Sequence, residues 1–336
     1  MNRKTIGRMG ATVLAAASVL GSTVAYAADP ARVSVITAPF GTGSYVMASA
    51  LEEISKQNKD GIQITSSESP GFIFNIKKLD KEPALRKSMI VGSGAGVVGL
   101  ATLGSAPFTQ KYPPLKLIAN YSVGAYWLAT LDPKIKTVAD LAGKKVALGR
   151  AAQINWAVQP AAIMRDGYGL GKDKVDLQYV GTKDAIDALL NGTTDAAVVG
   201  GYVDPATHKM VLSPQTSEFI ASGRKITFLG WSPEAIDKTI KAGMKMAQYT
   251  VPANTLQGVA EPLVVHADTT SWMVSPEFPD DLAYSAAKLV IDNLAKFGEF
   301  HAQGKLMSRD GLVYGWSVDD LHPGALRAYR EAGIVK

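Results

Sequence analysis

The first residues in the chain that could do chemistry form a glycine turn. Gly41 and Gly43 alternate with the hydroxyl residues Thr42 and Ser44, and Tyr45 follows. Glycines let backbone N–H groups approach a ligand closely, hydroxyl groups donate hydrogen bonds, and the start of a helix favours negative charge. The turn therefore indicates a binding site for a polar or anionic group, although a turn that serves packing alone can have the same sequence.

A second glycine-rich segment, residues 94–99, fits the G-x-G-x-x-G pattern of a dinucleotide-binding turn. In that class of site the pattern follows the first strand, and an acidic residue about 20 positions later holds the ribose. Here the pattern follows the third predicted strand, and no Asp or Glu occurs between Glu82 and Asp132. We interpret the segment as close packing of a helix on a sheet, and we predict no cofactor.

Other residues that could support catalysis are scattered or absent. The four histidines form no H-E-x-x-H motif and no i, i+4 pair, so we predict no metal site. The chain has no cysteine, which excludes disulfides, thiolate catalysis and zinc–cysteine sites. A G-x-S-x-G nucleophile turn is also missing. The sequence therefore predicts no catalytic residues and a protein that is not an enzyme.

Alternating strands and helices must position the glycine turn. The hydrophobic pattern predicts an α/β fold with a largely parallel sheet. Two pairs of short strands, 115–118 with 126–131 and 262–265 with 271–274, are expected to carry the chain between two lobes. The other predicted strands are residues 33–36, 62–65, 88–91, 145–148, 175–179 and 196–199, and the predicted helices are residues 46–54, 73–79, 155–166, 185–190 and 279–297, followed by a C-terminal helix.

Length and composition fit two ordinary domains, with 336 residues of which 47% are hydrophobic and 19% charged. The N-terminus carries three basic residues, an apolar run over residues 11–24 and the small-x-small segment Ala25–Ala27. This pattern predicts a secretory signal peptide over residues 1–27, cleaved after Ala27. Its removal lowers the formal charge from +5 to +2, which is too small for a nucleic-acid-binding protein.

Four segments resemble the TAXI-type solute-binding proteins of TRAP transporters. The last of them is similar to the closing helix of that family and is the most specific match, and the resemblance covers residues 33–336. In chain order, the segments are residues 41–51, Gly71 with Asn75 and Ile76, residues 140–146, and residues 322–334.

This resemblance implies a two-lobed, type II-like periplasmic-binding-protein architecture, with a ligand cleft between lobes joined by hinge strands. Lobe 1 is expected to contain residues 28–124 and 270–336, and lobe 2 residues 125–269. Hinges are expected near residues 122–126 and 267–271.

The resemblance also implies a monomeric periplasmic subunit that captures a small organic anion and delivers it to the membrane subunits of a TRAP transporter without chemical change. A secreted hydrolase or lyase, or a ligand sensor, on a similar two-lobed fold is the alternative.

Twelve residues are predicted to bind the ligand. Those in lobe 1 surround the glycine turn and the next two strand ends, and those in lobe 2 follow two later strands. They are Thr42, Gly43, Ser44, Tyr45, Phe72, Asn75 and Ser93 in lobe 1, and Arg150, Gln153, Asn155, Trp156 and Tyr202 in lobe 2.

Departures from the TAXI pattern suggest which ligand to expect. Residues 152–155 read Ala-Gln-Ile-Asn where the family usually has Gly-Ser-Gly-Thr, Phe72 stands where a hydroxyl is usual, and Gly94 replaces an amide or acid. Phe72 and Trp156 add apolar surface. Arg150 could pair with a carboxylate, or it could point to solvent. We therefore predict a bulkier or aromatic acid instead of the family's usual dicarboxylate or glutamate-like solute.

Overall fold

The computed structural model describes Met1, residues 31–58 and residues 61–336. Apart from Met1, the predicted signal peptide lies outside the described residues. Within the described part of the chain, no helix combines the length and the apolar composition that a membrane span requires.

A single mixed sheet of eleven strands runs through the described residues. The strands are β1 (Arg32–Ile36), β2 (Gln63–Ser67), β3 (Met89–Gly94), β4 (Lys116–Thr130), β5 (Lys145–Leu148), β6 (Asp176–Tyr179), β7 (Ala196–Val203), β8 (Met210–Leu212), β9 (Thr227–Leu229), β10 (Ala247–Val251) and β11 (Leu263–Val274). Their main order is β2-β1-β3-β11-β4-β7-β5-β6, with β10 paired to β11, β8 to β7 and β9 to β4.

Helices connect most of these strands. They are α1 (Gly43–Gln57), α2 (Phe72–Lys81), α3 (Ala95–Leu103), α4 (Gln159–Ala162), α5 (Thr182–Leu190), α6 (Pro214–Ala221), α7 (Pro233–Lys241), α8 (Asp280–Asp292), α9 (Phe297–Phe300) and α10 (Pro323–Glu331). Short π-helical segments, Ile154–Val158 and Ile163–Gly167, flank α4 and extend it in both directions. The predicted α/β alternation is therefore present, and the predicted helix at residues 155–166 is an α/π hybrid.

The sheet is parallel at its two flanks and antiparallel in the middle. β1 pairs in parallel with β2 and β3, and β5 pairs in parallel with β6 and β7. Between these groups, β11 and β4 run antiparallel to each other and to their outer neighbours β3 and β7. The prediction of a largely parallel sheet thus holds for the flanks only, because two long strands cross the centre.

The sequence predicted two short strands where β4 lies and two where β11 lies, and this was wrong. Polar residues near the middle of β4 suggested a break, but they are buried, and Asn120 forms hydrogen bonds with other segments of the chain. Asn120 is 2% exposed; its Nδ2 donates to the carbonyls of Gly311 (2.9 Å) and Tyr314 (3.0 Å). Its Oδ1 accepts from Ser271 Oγ at 2.7 Å. A satisfied buried polar group does not interrupt a strand.

Three hydrophobic clusters surround the sheet. One packs α8 and α10 around Trp272, drawing on residues 33–121 and 272–335, and another lies around Trp127, drawing on residues 123–267. The third extends from α2 and α3 to the helical segment that follows β5 and to α7. This third cluster joins residues on both sides of the predicted lobe boundary, and the boundary itself stays a prediction.

The Asn120 network yields a stability prediction. Asn120→Ala leaves two buried carbonyls and the Ser271 hydroxyl without their partner, so we expect the free energy of unfolding to fall by about 1–3 kcal/mol in urea titrations. Asn191→Ala is the matched control, because Asn191 is exposed, and it should change the free energy by less than about 0.5 kcal/mol. Equal effects of the two substitutions would contradict the assigned role of Asn120.

Candidate functional site

Two adjoining cavities lie where the β1–α1 turn, the start of α2 and the segment after β5 approach the centre of β4 and β11. Their volumes are about 530 Å³ and about 220 Å³. Asn155, Asp268, Thr269 and Thr270 line both, so the cavities share a wall. We call the two cavities together the cleft. Its size falls within the range of small-molecule sites.

The larger cavity has mostly apolar walls. Its aromatic residues come from the first turn of α2, and the facing aliphatic residues come from α3 and from the segment after β5. The apolar residues that line it are Pro70, Phe72, Ile73, Phe74, Val97 and Ile154. Walls of this kind favour the burial of an apolar or aromatic ligand group.

The smaller cavity is lined mainly by neutral polar groups around the start of α1. Thr42 caps that helix, because its Oγ1 accepts from the Tyr45 N–H at 3.3 Å. Gly43 and Ser44 follow in the first turn, where N–H groups have no partner within the helix. A Cβ at Gly43 would lie 2.6 Å from Gln303 Oε1, so only glycine lets this turn and Gln303 approach so closely. The other residues that line this cavity are Ser122, Gly124, Tyr126 and Tyr202 together with the shared wall.

The floor of the cleft comes from alternate residues of the two long strands. Ser122 pairs with Thr270, and Gly124 pairs with Asp268. Because successive side chains of a strand point to opposite faces, these residues share one face of the sheet. A Cβ at Gly124 would overlap the hydroxyl of Tyr126, so this glycine makes room for the Tyr126 side chain over the strand.

Asp268 is the buried acid of the shared wall, with 7% of its surface exposed. Its Oδ1 accepts from the backbone N–H of Gly96 (3.1 Å), in the first turn of α3, and from that of Thr269 (3.0 Å). Burial raises the pKa of Asp268 to about 7, against hydrogen bonds from Gly96, Thr269 and Gln159 that lower it. Near neutral pH this carboxyl group can therefore be present in either protonation state.

Asn155 fixes the opposite side of the shared wall. Its Nδ2 donates to the Tyr126 hydroxyl at 2.6 Å, and its backbone carbonyl lies 3.2 Å from His266 Nε2. Burial lowers the pKa of His266 to about 3, so the ring is neutral and its Nε2–H donates to that carbonyl. The Tyr126 ring packs against Trp156 (4.8 Å between centroids) and His266 (5.4 Å). These contacts hold the segment after β5 against the floor.

The structure brings seven of the twelve predicted ligand residues to the cleft. They come from both predicted lobes and are Thr42, Gly43, Ser44, Phe72, Gln153, Asn155 and Tyr202. The other five, Tyr45, Asn75, Ser93, Arg150 and Trp156, do not line either cavity.

Two of those five have structural partners that account for their positions. The Nδ2 of Asn75 donates to the carbonyls of Thr37 (2.7 Å) and Gly92 (2.8 Å), so Asn75 joins the segment after β1 to β3. Trp156 is buried against Tyr126. Asn75 supports the strands near the cleft, and Trp156 packs in the core.

Arg150 is exposed and lines a third cavity of about 350 Å³ with Thr182, Lys183 and Asp184. This cavity adjoins the larger cavity of the cleft, because Ala152 and Gln153 line both. Among the described residues, no Lys, Arg or His lines the cleft. Arg150 therefore does not line the cleft, and its pairing with a ligand carboxylate stays a prediction. In the same part of the chain, His, Asp and Glu side chains form no group of three or more that could hold a metal ion.

Among the residues of the cleft that were not predicted, six have polar side chains: Ser122, Tyr126, Asp268, Thr269, Thr270 and Gln303. A signal for some of them was available. His266, Asp268 and Thr270 alternate with other residues along one segment, which is the pattern of a strand with one polar face. That pattern was hidden because the segment was interpreted as a connection between two short strands.

Comparison with protein families places the chain among known relatives. Residues 35–333 match the NMT1-like family. The chain belongs to the NMT1-like family. The match spans β1 to the end of α10 and so includes the complete cleft of this NMT1-like protein.

A solved structure shows the same fold at low sequence identity. A TctC solute-binding protein from Polaromonas aligns with a TM-score of 0.53 and 14% identity, covering 92% of this NMT1-like chain and 97% of that chain. A Rhodopseudomonas palustris protein solved with adipate aligns with a TM-score of 0.48 and 14% identity, covering 91% and 94% of the two chains. The likeness to the Polaromonas protein confirms the predicted α/β fold of two-lobed solute-binding proteins.

The buried carboxyl group of Asp268 gives a pH-dependent prediction. Its folded pKa of about 7 lies above the ordinary value of 3.8, so folding favours the neutral form and Asp268 costs stability as the pH rises from 4 to 7. Asp268→Asn stays neutral and keeps an acceptor oxygen. We expect it to raise the free energy of unfolding at pH 8 by about 1–4 kcal/mol, with the difference vanishing near pH 4.

Asp204→Asn is the control with the opposite sign. Although burial opposes it, hydrogen bonds from Ser308, Thr207 and Ala206 lower the pKa of Asp204. Asp204→Asn should therefore be less stable than the parent protein at neutral pH, and its deficit should shrink as the pH falls below 4. Urea titrations at several pH values measure both variants. A loss of stability in Asp268→Asn at pH 8 would refute the assignment.

Proposed function

We propose that this NMT1-like protein is a periplasmic solute-binding subunit of a TRAP transporter, of the TAXI type. It captures a small organic solute in the cleft and delivers it unchanged to the membrane subunits. The proposal combines the resemblance of four sequence segments to the TAXI pattern with the fold shared with a TctC solute-binding protein. The predicted signal peptide over residues 1–27 supports export to the periplasm.

One observation carries the proposal: the cleft draws its walls from both predicted lobes. Thr42 and Phe72 come from the first, and Asn155 and Tyr202 from the second. A ligand held between two such groups of residues contacts more of the protein when they approach each other, and this difference in contact shifts the population towards a closed form. The membrane subunits of a transporter can distinguish this closed form from the open one.

The hinge of this motion is proposed to lie in residues 122–126 of β4 and 267–271 of β11. The two segments pair with each other at the cleft floor, and their register shifts between Thr270 and Ser271. A register shift bends a strand locally, so it suits the place where one lobe rotates relative to the other. The lobe boundaries at residues 124 and 269 are proposed on the same grounds.

An enzyme is the second candidate, and one observation favours it. The pKa of Asp268 lies near 7 in a cleft, which is a property of general acids and bases. However, burial raises the pKa values of the other titratable groups that line the cleft, Tyr126 and Tyr202, so neither is a base at neutral pH. The solute-binding function is the better supported of the two.

A retention experiment tests the function. Purified protein lacking residues 1–27 is incubated with a metabolite extract, separated from free compounds and analysed by mass spectrometry. A solute-binding protein retains one compound stoichiometrically and unchanged, whereas depletion of a compound with appearance of a new one would identify an enzyme. Uptake of the retained solute by vesicles that contain TRAP membrane subunits, dependent on added protein, tests the transporter assignment.

Closure of the cleft predicts a change in shape. Small-angle X-ray scattering should show a smaller radius of gyration with the retained solute at saturation than without it. Gly43→Val is the control, because its side chain would enter the smaller cavity beside Gln303 and displace the end of that side chain, so its profile should respond less than that of the parent protein. Identical profiles of the parent protein with and without bound solute would contradict hinge closure.

Export predicts a defined N-terminus. When the full chain is expressed in a bacterium with two membranes, the mature protein should be recovered from the periplasm with Ala28 as its first residue, as measured by intact mass. Replacing Arg3, Lys4 and Arg8 by glutamate removes the positive start of the signal peptide and should leave the precursor unprocessed in the cytoplasm. A periplasmic protein of full length would contradict the predicted cleavage.

A further inference from the structure

The charge of the cleft lining is unusual for a site that is expected to bind an organic anion. Asp268 is the acidic residue of the lining, and no basic side chain accompanies it among the described residues. Its Oδ1 accepts from two backbone N–H groups, the carboxyl group also accepts a hydrogen bond from the Gln159 side chain, and Oδ2 receives no backbone hydrogen bond in the described residues. In its ionised form this group would repel a ligand carboxylate with little water to screen the two charges, whereas a ligand ammonium group would favour that form. The surroundings of Asp268 instead suit a ligand group that donates hydrogen bonds.

A second part of the smaller cavity suits an anion. The first turn of α1, a helix of 15 residues, presents the N–H groups of Gly43 and Ser44 beside this cavity. Ser122 lines the same cavity, is only 8% exposed, and its hydroxyl forms no hydrogen bond within the described residues. This hydroxyl group is therefore available to donate a hydrogen bond to a ligand acceptor in the cavity.

The polar residues of the shared wall lie next to the larger, apolar cavity. Asp268 and Thr270 belong to the shared wall, so a ligand held there can extend past them towards Phe72 and Val97. With about 530 Å³, the larger cavity has room for an aromatic or branched aliphatic side chain. A ligand that satisfies the whole cleft therefore carries a donor group, an acceptor group and an apolar body.

We propose that the cleft binds a zwitterionic α-amino acid with a bulky apolar or aromatic side chain. Its ammonium group contacts Asp268, its carboxylate contacts the first turn of α1 and Ser122, and its side chain occupies the larger cavity. This inference rests on the proposed solute-binding function and specifies the ligand class. The simple aromatic acid expected from the sequence lacks the group that Asp268 requires.

Titration calorimetry with matched ligands tests each contact. L-phenylalanine, L-tryptophan and L-leucine carry all three features, 3-phenylpropionate lacks the ammonium group, and 2-phenylethylamine lacks the carboxylate. At least one of the three amino acids should bind, and if L-phenylalanine is that ligand, both analogues should bind at least about tenfold more weakly. Wild-type protein that binds 3-phenylpropionate as tightly as L-phenylalanine, or that binds none of the amino acids, would overturn the inference.

Two variants assign the ammonium contact. Asp268→Asn should weaken the binding of the amino acid by about 10- to 100-fold while changing the affinity for 3-phenylpropionate less than about threefold. Asp204→Asn is the matched control, because Asp204 is also buried but lines neither cavity, and it should leave amino-acid affinity unchanged. Circular dichroism verifies that both variants fold. An unchanged amino-acid affinity in folded Asp268→Asn would refute the contact.

The outcomes separate this inference from the function on which it rests. If the protein retains another solute unchanged from a metabolite extract but binds no apolar amino acid, the ligand class is wrong and the solute-binding function stands. If it retains nothing, or converts a compound, the proposed function fails as well.

Discussion

The antiparallel pairing of β4 with β11 is the constraint on which the rest of the structure depends. These strands join the parallel group β2-β1-β3 to the parallel group β7-β5-β6, so the sheet is continuous only through them. One face carries core residues such as Trp127, and the other carries the floor of the cleft. A substitution in this pair therefore affects the fold and the site together.

Polar residues can occupy this buried centre because they satisfy one another across the sheet. Asn120 bonds to Ser271 and to the segment before α10, and Asp268 bonds to the first turn of α3. Each of these hydrogen bonds replaces one that the polar group would make with water in the unfolded chain. The β1–α1 turn, the start of α2 and the segment after β5 follow strands of the two flanks, and the central pair joins those flanks into one sheet.

The sequence was most informative where local signals and structure coincide. The glycine turn predicted the start of α1 and three cleft residues, and hydrophobic alternation predicted the strands of both flanks. It was least informative in the centre, because the partner of Asn120 on β11 lies about 150 positions away and no local pattern reveals it. Arg150 is a second example. A guanidinium group can pair with a ligand carboxylate, but Arg150 is exposed because of how the chain turns after β5, and no local pattern predicts that turn. No strand or helix was predicted in residues 210–251, although α7 within them has one buried face formed by Ala235, Ile236 and Thr239.

The same central pairing also determines when folding can be completed. β11 begins at Leu263, so neither the middle of the sheet nor the floor of the cleft can form until most of the chain has been synthesised. Contacts between residues so far apart in sequence form slowly, because a long loop must close before they are made. Such a chain remains unfolded for longer as it leaves the ribosome. The export that we propose requires the chain to cross a membrane as an extended polypeptide, and this delay would favour it.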